Sequence, residues 1–252
     1  MSPTRVITWN VLHWVHGVNW GEAALRQFPL EQARIAAISA LVLGWVSPSP
    51  AGGPTVVCLQ EVSGDQLASL RSATARFGLQ LFDHVHPRLP RLRGGGKPVL
   101  ADSTEHLVTL VAGPAASLVE ARAFDTDPGK GFLAVATGAG VLLFNAHVTF
   151  GGKRVAQLAF LAEKARAASS AVVLGDFNAG AAAVGAGLGP GFVTADLRGQ
   201  PPTRCPAEGQ AGQTIDHIAA LGCTLATAAV LDAGGLSDHA PVCAVLGPLE
   251  FL

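Results

Sequence analysis

The sequence lacks the charge excess that marks many proteins acting on nucleic acids. Its 17 Lys and Arg residues are balanced by 18 Asp and Glu residues, which gives a formal net charge of −1. Phosphate neutralisation supplies most of the affinity of non-specific DNA binders, which usually carry a clear positive excess. The overall charge therefore gives no support to that class, although a local basic strip stays compatible with it.

The sequence also lacks zinc motifs, long apolar runs and a recognisable signal peptide. Its four cysteines are Cys58, Cys205, Cys223 and Cys243. None sits in a CxxC or other zinc spacing, so buried, reduced thiols are expected. The longest apolar stretch, residues 35–46, is too short to span a bilayer. Only two apolar residues follow residues 1–5 before polar ones appear, which favours a cytoplasmic enzyme.

What the sequence does contain is a series of short apolar runs, several of them rich in Val. These runs lie at residues 5–9, 55–59, 107–111, 132–136, 141–146, 171–174, 214–219, 224–231 and 241–246. Apolar runs of this length are typical of strands. Helical patterns fill residues 30–46, 66–77 and 153–168, and residues 47–54, 87–98 and 180–191 are expected to be loops.

These elements indicate one domain spanning residues 1–252. The chain is long enough for a single α/β or α+β domain, and 49% of its residues are hydrophobic, so a sizeable core can form. Strands of the same character continue on both sides of each predicted loop, which argues against linkers between domains. Many strands with interspersed helices favour packed sheets with helices outside.

Polar side chains follow the first two predicted strands. Asn10 ends the first, and its side chain can offer a carbonyl to a metal or an amide to a phosphate. A turn Asn is the alternative. Glu61 follows the second strand, where an unpaired, dry carboxylate would be costly. It therefore either holds a cation or reaches solvent at the end of the strand.

Two further strands carry polar pairs with a spacing of two residues. Asn145 and His147 end one strand, and Asp176 and Asn178 follow another. Residues two apart share one face of a strand, so each pair can point to the same side. A structural histidine and a turn-forming aspartate are the alternatives.

The last two polar sites are Asp-His pairs. Asp216 and His217 lie next to each other in a strand, so their side chains face opposite ways and one of them faces away from any site. Asp238 and His239 precede the final strand. Each motif is weak alone. Ligands in α/β sheets collect at strand ends, however, and six strands with polar residues at their ends are hard to assign to turns alone.

In this order, the motifs resemble those of the endonuclease/exonuclease/phosphatase superfamily, which includes the DNase I-like nucleases. The motifs are Trp9-Asn10, Gln60-Glu61, Asn145-Ala146-His147, Gly175-Asp176-Phe177-Asn178, Ile215-Asp216-His217 and Ser237-Asp238-His239. The resemblance runs from residue 5 to about residue 246. It implies a four-layer α/β/β/α sandwich, in which two mainly antiparallel sheets pack face to face with helices outside.

The resemblance also implies phosphoester hydrolysis that depends on Mg²⁺ or Mn²⁺. Glu61 would be the principal metal ligand, with Asn10 and Asp238 nearby. Oxygen ligands of this kind suit a hard cation that keeps several waters. The expected partner is a phosphoester substrate, with nucleic acid as one candidate.

Five residues receive catalytic roles by the same resemblance. Asp176 would orient or deprotonate the attacking water, and Asn178 would help to hold the phosphate or that water. His239 would donate to a phosphoryl oxygen, with Asp216 on its other ring nitrogen. His147 would be a second donor to the phosphate or the leaving group.

The sequence departs from the family pattern at two points. Many relatives use a Tyr near the middle of the chain to contact phosphate, whereas this sequence has no Tyr. His106 lies roughly where that residue is expected, and a surface histidine is the alternative. Relatives often place an Arg before the strand that leads to His147; here the nearest basic residue is Lys130.

The substrate stays open at this level. Residues 84–98 form a Gly-containing stretch with several basic side chains, which suits either a phosphate-gathering loop or a solvated surface loop. Trp14, Trp20 and Trp45 are candidates for base stacking, with packing as the alternative. Three functions are compatible with the sequence: a phosphodiesterase or nuclease, a phosphomonoesterase acting on inositol-type or other small phosphates, and a non-catalytic binding module.

Overall fold

A computed structural model of the chain describes residues 3–46, 53–205 and 211–247. Twelve strands in these residues form two six-stranded sheets. The first sheet contains β1 (Thr4–Asn10), β2 (Thr55–Ser63), β3 (Gln80–Val85), β4 (Glu105–Ala112), β11 (Thr224–Val230) and β12 (Val242–Gly247). The second contains β5 (Ser117–Phe124), β6 (Asp127–Ala136), β7 (Leu142–His147), β8 (Ala171–Asp176), β9 (Phe192–Thr194) and β10 (Asp216–Leu221).

The two sheets have similar topologies. The strand orders are β11-β12-β1-β2-β4-β3 and β5-β6-β7-β8-β10-β9. Each sheet has one parallel pair, β1 with β2 and β7 with β8, and all other neighbours are antiparallel. A parallel pair needs a crossover connection, which is usually helical. The crossovers contain α3 (Glu31–Val46) and α5 (Lys153–Ala165).

The central strands are apolar on both faces because each sheet is covered on both sides. Between the sheets, Val6 and Val56 pack in one core with Leu133 and Val172. On the outer face of the first sheet, a second core joins the strands to α3 and to α4 (Gly64–Ala75). On the outer face of the second sheet, a third core includes residues of α5 and of α6 (Ala181–Leu188).

The predicted fold class is therefore confirmed: two mainly antiparallel sheets lie face to face with helices outside. All nine predicted strands are present with small shifts of their ends, and so are the three predicted helices. Three strands were not predicted, β3, β5 and β9, together with the short helices α1 (Trp14–Trp20) and α2 (Ala23–Gln27).

The prediction of a loop over residues 180–191 is wrong, because residues Ala181–Leu188 form α6. Ala has the highest helix propensity and outweighs the Gly residues in this segment. Residues 87–98 contain no helix or strand, as expected. Residues 47–52 of the predicted loop at 47–54 lie outside the described residues.

The cysteines follow the prediction only in part. Cys58 and Cys223 are buried free thiols and Cys243 is partly buried, but Cys205 is exposed. Within the described parts of the chain, no helix combines the length and the apolar character needed to cross a bilayer. The cytoplasmic location stays a prediction.

Candidate active site

The ends of five strands meet at one edge of the two sheets. In the first sheet, the parallel register places Asn10 beside Gln60. In the second, His147 pairs with Asp176, and Asp176 pairs with Asp216 on the antiparallel strand β10. Each of these polar residues stands at or near the end of a strand, so the chain connections bring distant motifs to a common cleft.

Asp176 lies at the centre of this cleft. Its Oδ2 accepts a hydrogen bond of 3.1 Å from Asn10 Nδ2 and lies 3.3 Å from His147 Nε2, and its Oδ1 accepts from the Asn178 backbone N–H at 2.9 Å. Burial opposes ionisation, but His147 and His239 lower the pKa of Asp176 far below its usual range. Asp176 is therefore a carboxylate at neutral pH.

Backbone geometry explains the residues on both sides of Asp176. Gly175 has φ +150°, and a Cβ there would collide with the carbonyl oxygen of Ala146 on the neighbouring strand. Asn178 adopts a left-handed conformation with φ 49°, which Asn tolerates better than most residues. Its side-chain Nδ2 donates to the Val148 carbonyl at 2.9 Å, so the turn after the strand is fixed.

Asp216 and His239 form a buried pair. His239 Nδ1 lies 2.8 Å from Asp216 Oδ2, and His239 Nε2 faces Asp176 Oδ2 at 3.9 Å. Trp9 Nε1 donates to the His239 carbonyl at 2.9 Å and holds its backbone in place. Burial opposes protonation, but Asp216 and the neighbouring carboxylates raise the pKa of His239 to about 10. His239 therefore carries a proton at neutral pH.

The structure decides which residue of the Asp216-His217 pair faces the cleft. Asp216 contacts His239, whereas His217 Nε2 lies 2.8 Å from the Ala179 carbonyl on the helix side of the sheet. The backbone N–H groups of Ile215 and Asp216 both donate to Thr203 Oγ1, at 3.0 and 3.1 Å. Thr203, which lies outside the strands of the sheet, thus holds the start of β10, where Asp216 stands.

Glu61 sits on an irregularity of β2. The pairing between β2 and β4 shifts register between Leu59 and Val62, and Glu61 has φ 58°. Non-Gly residues with positive φ cost energy and often occur at functional sites. Glu61 Oε2 accepts from the His13 backbone N–H at 3.1 Å. Burial opposes ionisation, but His16 and Lys130 lower the pKa of Glu61 to about 2.

Two residues that the sequence did not single out stand beside Glu61. Glu105 begins β4 and is 3% exposed, and its Oε2 lies 2.8 Å from His16 Nε2. Burial opposes protonation of His16, but Glu61 and Glu105 raise its pKa to about 8. The one sequence signal for Glu105 is an acidic residue two positions before a predicted apolar strand, residues 107–111.

His106 does not take the position suggested for it. Adjacent strand residues face opposite ways, so Glu105 points into the cleft and His106 points out of it. His106 Nδ1 lies 3.4 Å from Asp83 Oδ2, and its Nε2 lies 2.9 Å from Thr104 Oγ1. Lys130, in contrast, contacts both ring nitrogens of His147 and lines the cleft.

Asp238, unlike Glu61, is paired with an arginine. Its Oδ2 lies 3.3 Å from Arg204 Nε and 3.9 Å from His239 Nε2. Arg204 also contacts Glu22 Oε1 at 3.2 Å, so this arginine is held between two carboxylates. In the described residues, Asp238 belongs to none of the clusters of acidic and histidine side chains that are close enough to share an ion.

The cleft is a cavity of about 560 Å³ with basic and aromatic walls. Its basic lining residues are Arg88, Arg93, Lys130 and Arg204. Two of them, Arg88 and Arg93, come from the predicted phosphate-gathering loop, whereas His84, His86, Arg91 and Lys97 do not line the cavity. Trp20 and Phe150 stand at the cavity and are 62% and 76% exposed.

The other two tryptophan candidates are not in the cavity lining. Trp45 packs edge-on against Trp9 with ring centroids 5.6 Å apart, which is the packing role expected for it. Trp14 is partly buried in α1. The guanidinium of Arg93 lies 3.9 Å from the ring centroid of Trp20.

The side chains in the cleft have the chemistry that a divalent cation needs. Glu61, His147 and Asp176 each offer one ligand atom, and these atoms lie within 4.8 Å of one another. His16, Glu61 and Glu105 form a second such cluster, and Asp176, Asp216 and His239 form a third. Glu105 Oε1 is buried without a hydrogen-bond partner. A buried, unpaired carboxylate oxygen is costly, and a cation would satisfy it.

Known structures with low sequence identity share this fold. TDP2 from D. rerio, solved with a single-strand DNA product, has a TM-score of 0.68 and 16% identity, with 98% of this chain and 100% of that chain covered. The human Nocturnin catalytic domain, solved with a bound sulfate anion, has a TM-score of 0.64 and 18% identity, with coverages of 98% and 93%.

An endonuclease/exonuclease/phosphatase from Beutenbergia cavernae DSM 12333 gives a TM-score of 0.68 at 17% identity, with 98% of this chain and 72% of that chain covered. No curated protein sequence matches the chain significantly. The model of the endonuclease/exonuclease/phosphatase family matches residues 7–239. The resemblance seen in the sequence motifs is thereby confirmed, and the chain belongs to the endonuclease/exonuclease/phosphatase family of metal-dependent phosphoester hydrolases.

Proposed function

We propose that this protein is a divalent-metal-dependent phosphodiesterase or nuclease, built as one domain over residues 1–252. The observation that carries the proposal is the arrangement around Asp176. The Asp216–His239 pair stands on one side of this carboxylate, and Glu61 and His147 stand on the other. Asp176, His239, Glu61 and His147 all line one cavity, with Asp216 buried behind His239. Acid, base and cation-binding groups are thus within reach of one phosphate.

Glu61 would hold Mg²⁺ or Mn²⁺, with Asn10 and Asp238 nearby. When bound, the cation neutralises negative charge on the phosphoryl oxygens. Asn10 is already committed to two hydrogen bonds, from its Nδ2 to Asp176 and to its Oδ1 from the Leu12 backbone N–H. This supports a role in positioning Asp176 beside the cation, with Glu61 as the principal ligand.

Asp176 orients the attacking water. Its low pKa makes it a weak base that still accepts hydrogen bonds as a carboxylate, so positioning the water is favoured over removing its proton in advance. Asn178 lines the cavity beside it and would hold the phosphate or the water. The hydrogen bonds to both Asp176 oxygens keep the carboxylate in one orientation, which lowers the cost of aligning the water with the phosphorus atom.

His239 donates a hydrogen bond to a phosphoryl oxygen through Nε2. Asp216 fixes the ring by accepting from Nδ1, and it stabilises the charged imidazolium. His147 acts as a second donor to the phosphate or the leaving oxygen, and Lys130 beside it adds positive charge. Several such devices must act together, because a single general acid or base supplies about 10²–10⁴-fold.

A substrate larger than a single phosphate group suits the cavity. Arg88, Arg93 and Arg204 line the cavity. Arg88 and Arg204 are paired with carboxylates, and Arg93 stands beside Trp20. Trp20 and Phe150 offer exposed rings at the same cavity. Aromatic faces stack on nucleobases and guanidinium groups contact backbone phosphates. We therefore propose a nucleic-acid strand or a nucleotide-containing diester as the substrate class.

A phosphomonoesterase is the second candidate. The same basic wall of Arg88, Arg93, Lys130 and Arg204 would also bind a small, multiply charged phosphate of the inositol type. A non-catalytic binding module is disfavoured, because each acid and imidazole position expected from the family motifs is filled, and all of these side chains except the buried Asp216 line one cavity.

Hydrolysis of two chromogenic esters tests the proposal. Bis-p-nitrophenyl phosphate is a diester, and p-nitrophenyl phosphate is the matching monoester. We expect release of p-nitrophenol from the diester that stops on chelation and returns with Mg²⁺ or Mn²⁺. Preference for the monoester would select the phosphomonoesterase, and no turnover of either ester or of DNA and RNA oligonucleotides would select the binding module.

A further inference from the structure

The cluster of His16, Glu61 and Glu105 shares only Glu61 with the residues that the family motifs place at the metal. One ligand atom from each of its three side chains lies within 4.8 Å of the other two. His16 comes from α1, Glu61 from the irregularity in β2, and Glu105 from the first residue of β4. Three separate elements therefore direct their polar groups to one point.

Glu105 gives this cluster an unsatisfied ligand. The side chain is 4% exposed, so water reaches it poorly. Its Oε2 is paired with His16 Nε2, but its Oε1 is buried and has no hydrogen-bond partner; the nearest cationic candidate, His147 Nδ1, is 4.0 Å away. An ion pair between His16 and Glu105 thus accounts for one carboxylate oxygen and leaves the other unexplained.

We propose that His16 and Glu105 join Glu61 as direct ligands of one divalent cation. The site then has one imidazole nitrogen among carboxylate oxygens, and it prefers Mn²⁺ to Mg²⁺. The inference rests on the proposed function in one respect, namely that Glu61 holds the metal. It adds two ligands and a metal preference that the family motifs do not give.

The spacing of the ligand atoms suits this assignment. For bonds of about 2.1 Å, adjacent corners of an octahedron are about 3.0 Å apart and opposite corners about 4.2 Å. The His16 Nε2 to Glu105 Oε2 distance of 2.8 Å is close to an edge, and all three ligand atoms lie within 4.8 Å of one another.

The mixture of nitrogen and oxygen ligand atoms determines the metal preference. Mg²⁺ favours oxygen ligands and keeps several waters, whereas imidazole nitrogen binds first-row transition metals more readily. Mn²⁺ accepts both donor types. A cation can also reach the site, because His16 and Glu61 line the cavity and the His16 side chain is 27% exposed.

Pulsed electron paramagnetic resonance of bound Mn²⁺ tests the nitrogen ligand. In the full-length protein with one equivalent of Mn²⁺, we expect modulation from a directly bound ¹⁴N nucleus. His16→Ala removes that signal. Because His147 also stands near Glu61, a ¹⁴N signal that survives in His16→Ala would show that the nitrogen belongs to His147 and would overturn the inference.

Calorimetric titration with Mn²⁺ and Mg²⁺ tests the preference. We expect the wild type to bind Mn²⁺ more tightly than Mg²⁺, and His16→Ala to weaken Mn²⁺ binding at least about tenfold while changing Mg²⁺ binding little. Glu105→Gln should weaken both ions. His84→Ala is the matched control, because His84 lies outside the cavity lining, and it should behave as the wild type.

The outcomes separate this inference from the proposed function. If Glu61→Gln abolishes Mn²⁺ binding while His16→Ala and Glu105→Gln bind as the wild type does, the two added ligands are excluded and the Glu61 site stands. If the wild type binds neither ion and hydrolyses esters without metal, the proposed function fails as well. Circular dichroism of each variant shows whether a loss of binding reflects a loss of fold.

Discussion

The two sides of the cavity neutralise their carboxylates in different ways. On the Asp216 side, Asn10, Asn178 and His239 lie at hydrogen-bonding distance from three of the four carboxylate oxygens of Asp176 and Asp216, and Asp216 Oδ1 is buried without a partner. On the Glu61 side, the backbone is in a left-handed conformation and one oxygen of Glu105 is left without a partner. The Asp216 side is built around the Asp216–His239 hydrogen bond, whereas the Glu61 side combines a strained backbone with an unpartnered oxygen on a residue that we propose as a cation ligand.

The family motifs include Glu61 but neither Glu105 nor His16, and the difference between the two sides offers a reason. Hydrogen-bonded pairs such as Asp216 with His239 depend on particular side chains in short motifs. A cation site can be completed by any oxygen or nitrogen that the fold brings within reach, as Glu105 and His16 are here. We therefore expect mutations on the two sides to change different measured quantities.

Asp216→Asn should have the largest effect on turnover. An amide cannot stabilise the His239 imidazolium, so we expect kcat for bis-p-nitrophenyl phosphate to fall by about 10²–10⁴-fold. Mn²⁺ affinity, measured by calorimetry, should barely change. Asp125→Asn, at an exposed aspartate outside the cavity lining, is the control. If Asp216→Asn also lost Mn²⁺ binding, the two sides of the cavity would not act independently.

Glu61→Gln should act on metal affinity. If Glu61 is the principal ligand as proposed, removing its charge should raise the metal concentration that gives half-maximal activity by about 10–100-fold or more. The control is Glu163→Gln, at an exposed position of α5. If the metal dependence of Glu61→Gln equals that of the wild type, the ligand assignment is wrong.

Trp20→Ala should affect substrate binding and leave both sides of the site intact. Loss of a stacking partner costs about 1–3 kcal/mol per base, so we expect at least about fivefold weaker binding of a short single-stranded oligonucleotide. Fluorescence anisotropy measures this. Phe77→Ala, at an exposed aromatic outside the cavity lining, should bind as the wild type does, and equal binding by Trp20→Ala would exclude the stacking role.

His86 offers a smaller and independent test, because it is a buried neutral imidazole. Burial lowers the pKa of His86 to about 3, and neither ring nitrogen has a partner. The unfolded chain binds a proton below pH 6.5 that the folded chain binds only near pH 3, so stability falls as the pH drops through this window. The free energy of unfolding decreases by about 1.4 kcal/mol per pH unit at most.

Replacing His86 by Leu should flatten this acid dependence. Urea unfolding at pH 7.0, 5.5 and 4.5 gives the free energy of unfolding of each protein. As the pH falls, we expect this free energy to decrease less for His86→Leu than for the wild type. A gap that stays constant with pH would show that His86 is protonated in the folded state.

The central strands and the motif residues could be predicted from the sequence for a physical reason. Strands covered on both faces need continuous apolar runs, and these are visible without a structure. The polar residues that interrupt them, such as Asn10, Asp176 and His239, then mark the strand ends. The missed strands β3, β5 and β9 are less buried, so their sequences are mixed in polarity.

The rest of the site depends on tertiary geometry that local patterns do not carry. Glu105 faces the cleft while His106 faces away, and this follows from the register of β4 with β2 across an irregularity. His16 and Arg204 reach the cavity from a short helix and a loop. Residue spacing alone gives no signal for either of them.

The position of a bound Mn²⁺ ion in an anomalous difference map tests the central claim most directly. A crystal grown with Mn²⁺ should show a peak at bonding distance from the Glu61 carboxylate and no peak between Asp216 and His239. A peak bonded to the Asp216–His239 pair, with none at Glu61, would contradict the proposal that the cation binds on the Glu61 side of the cavity.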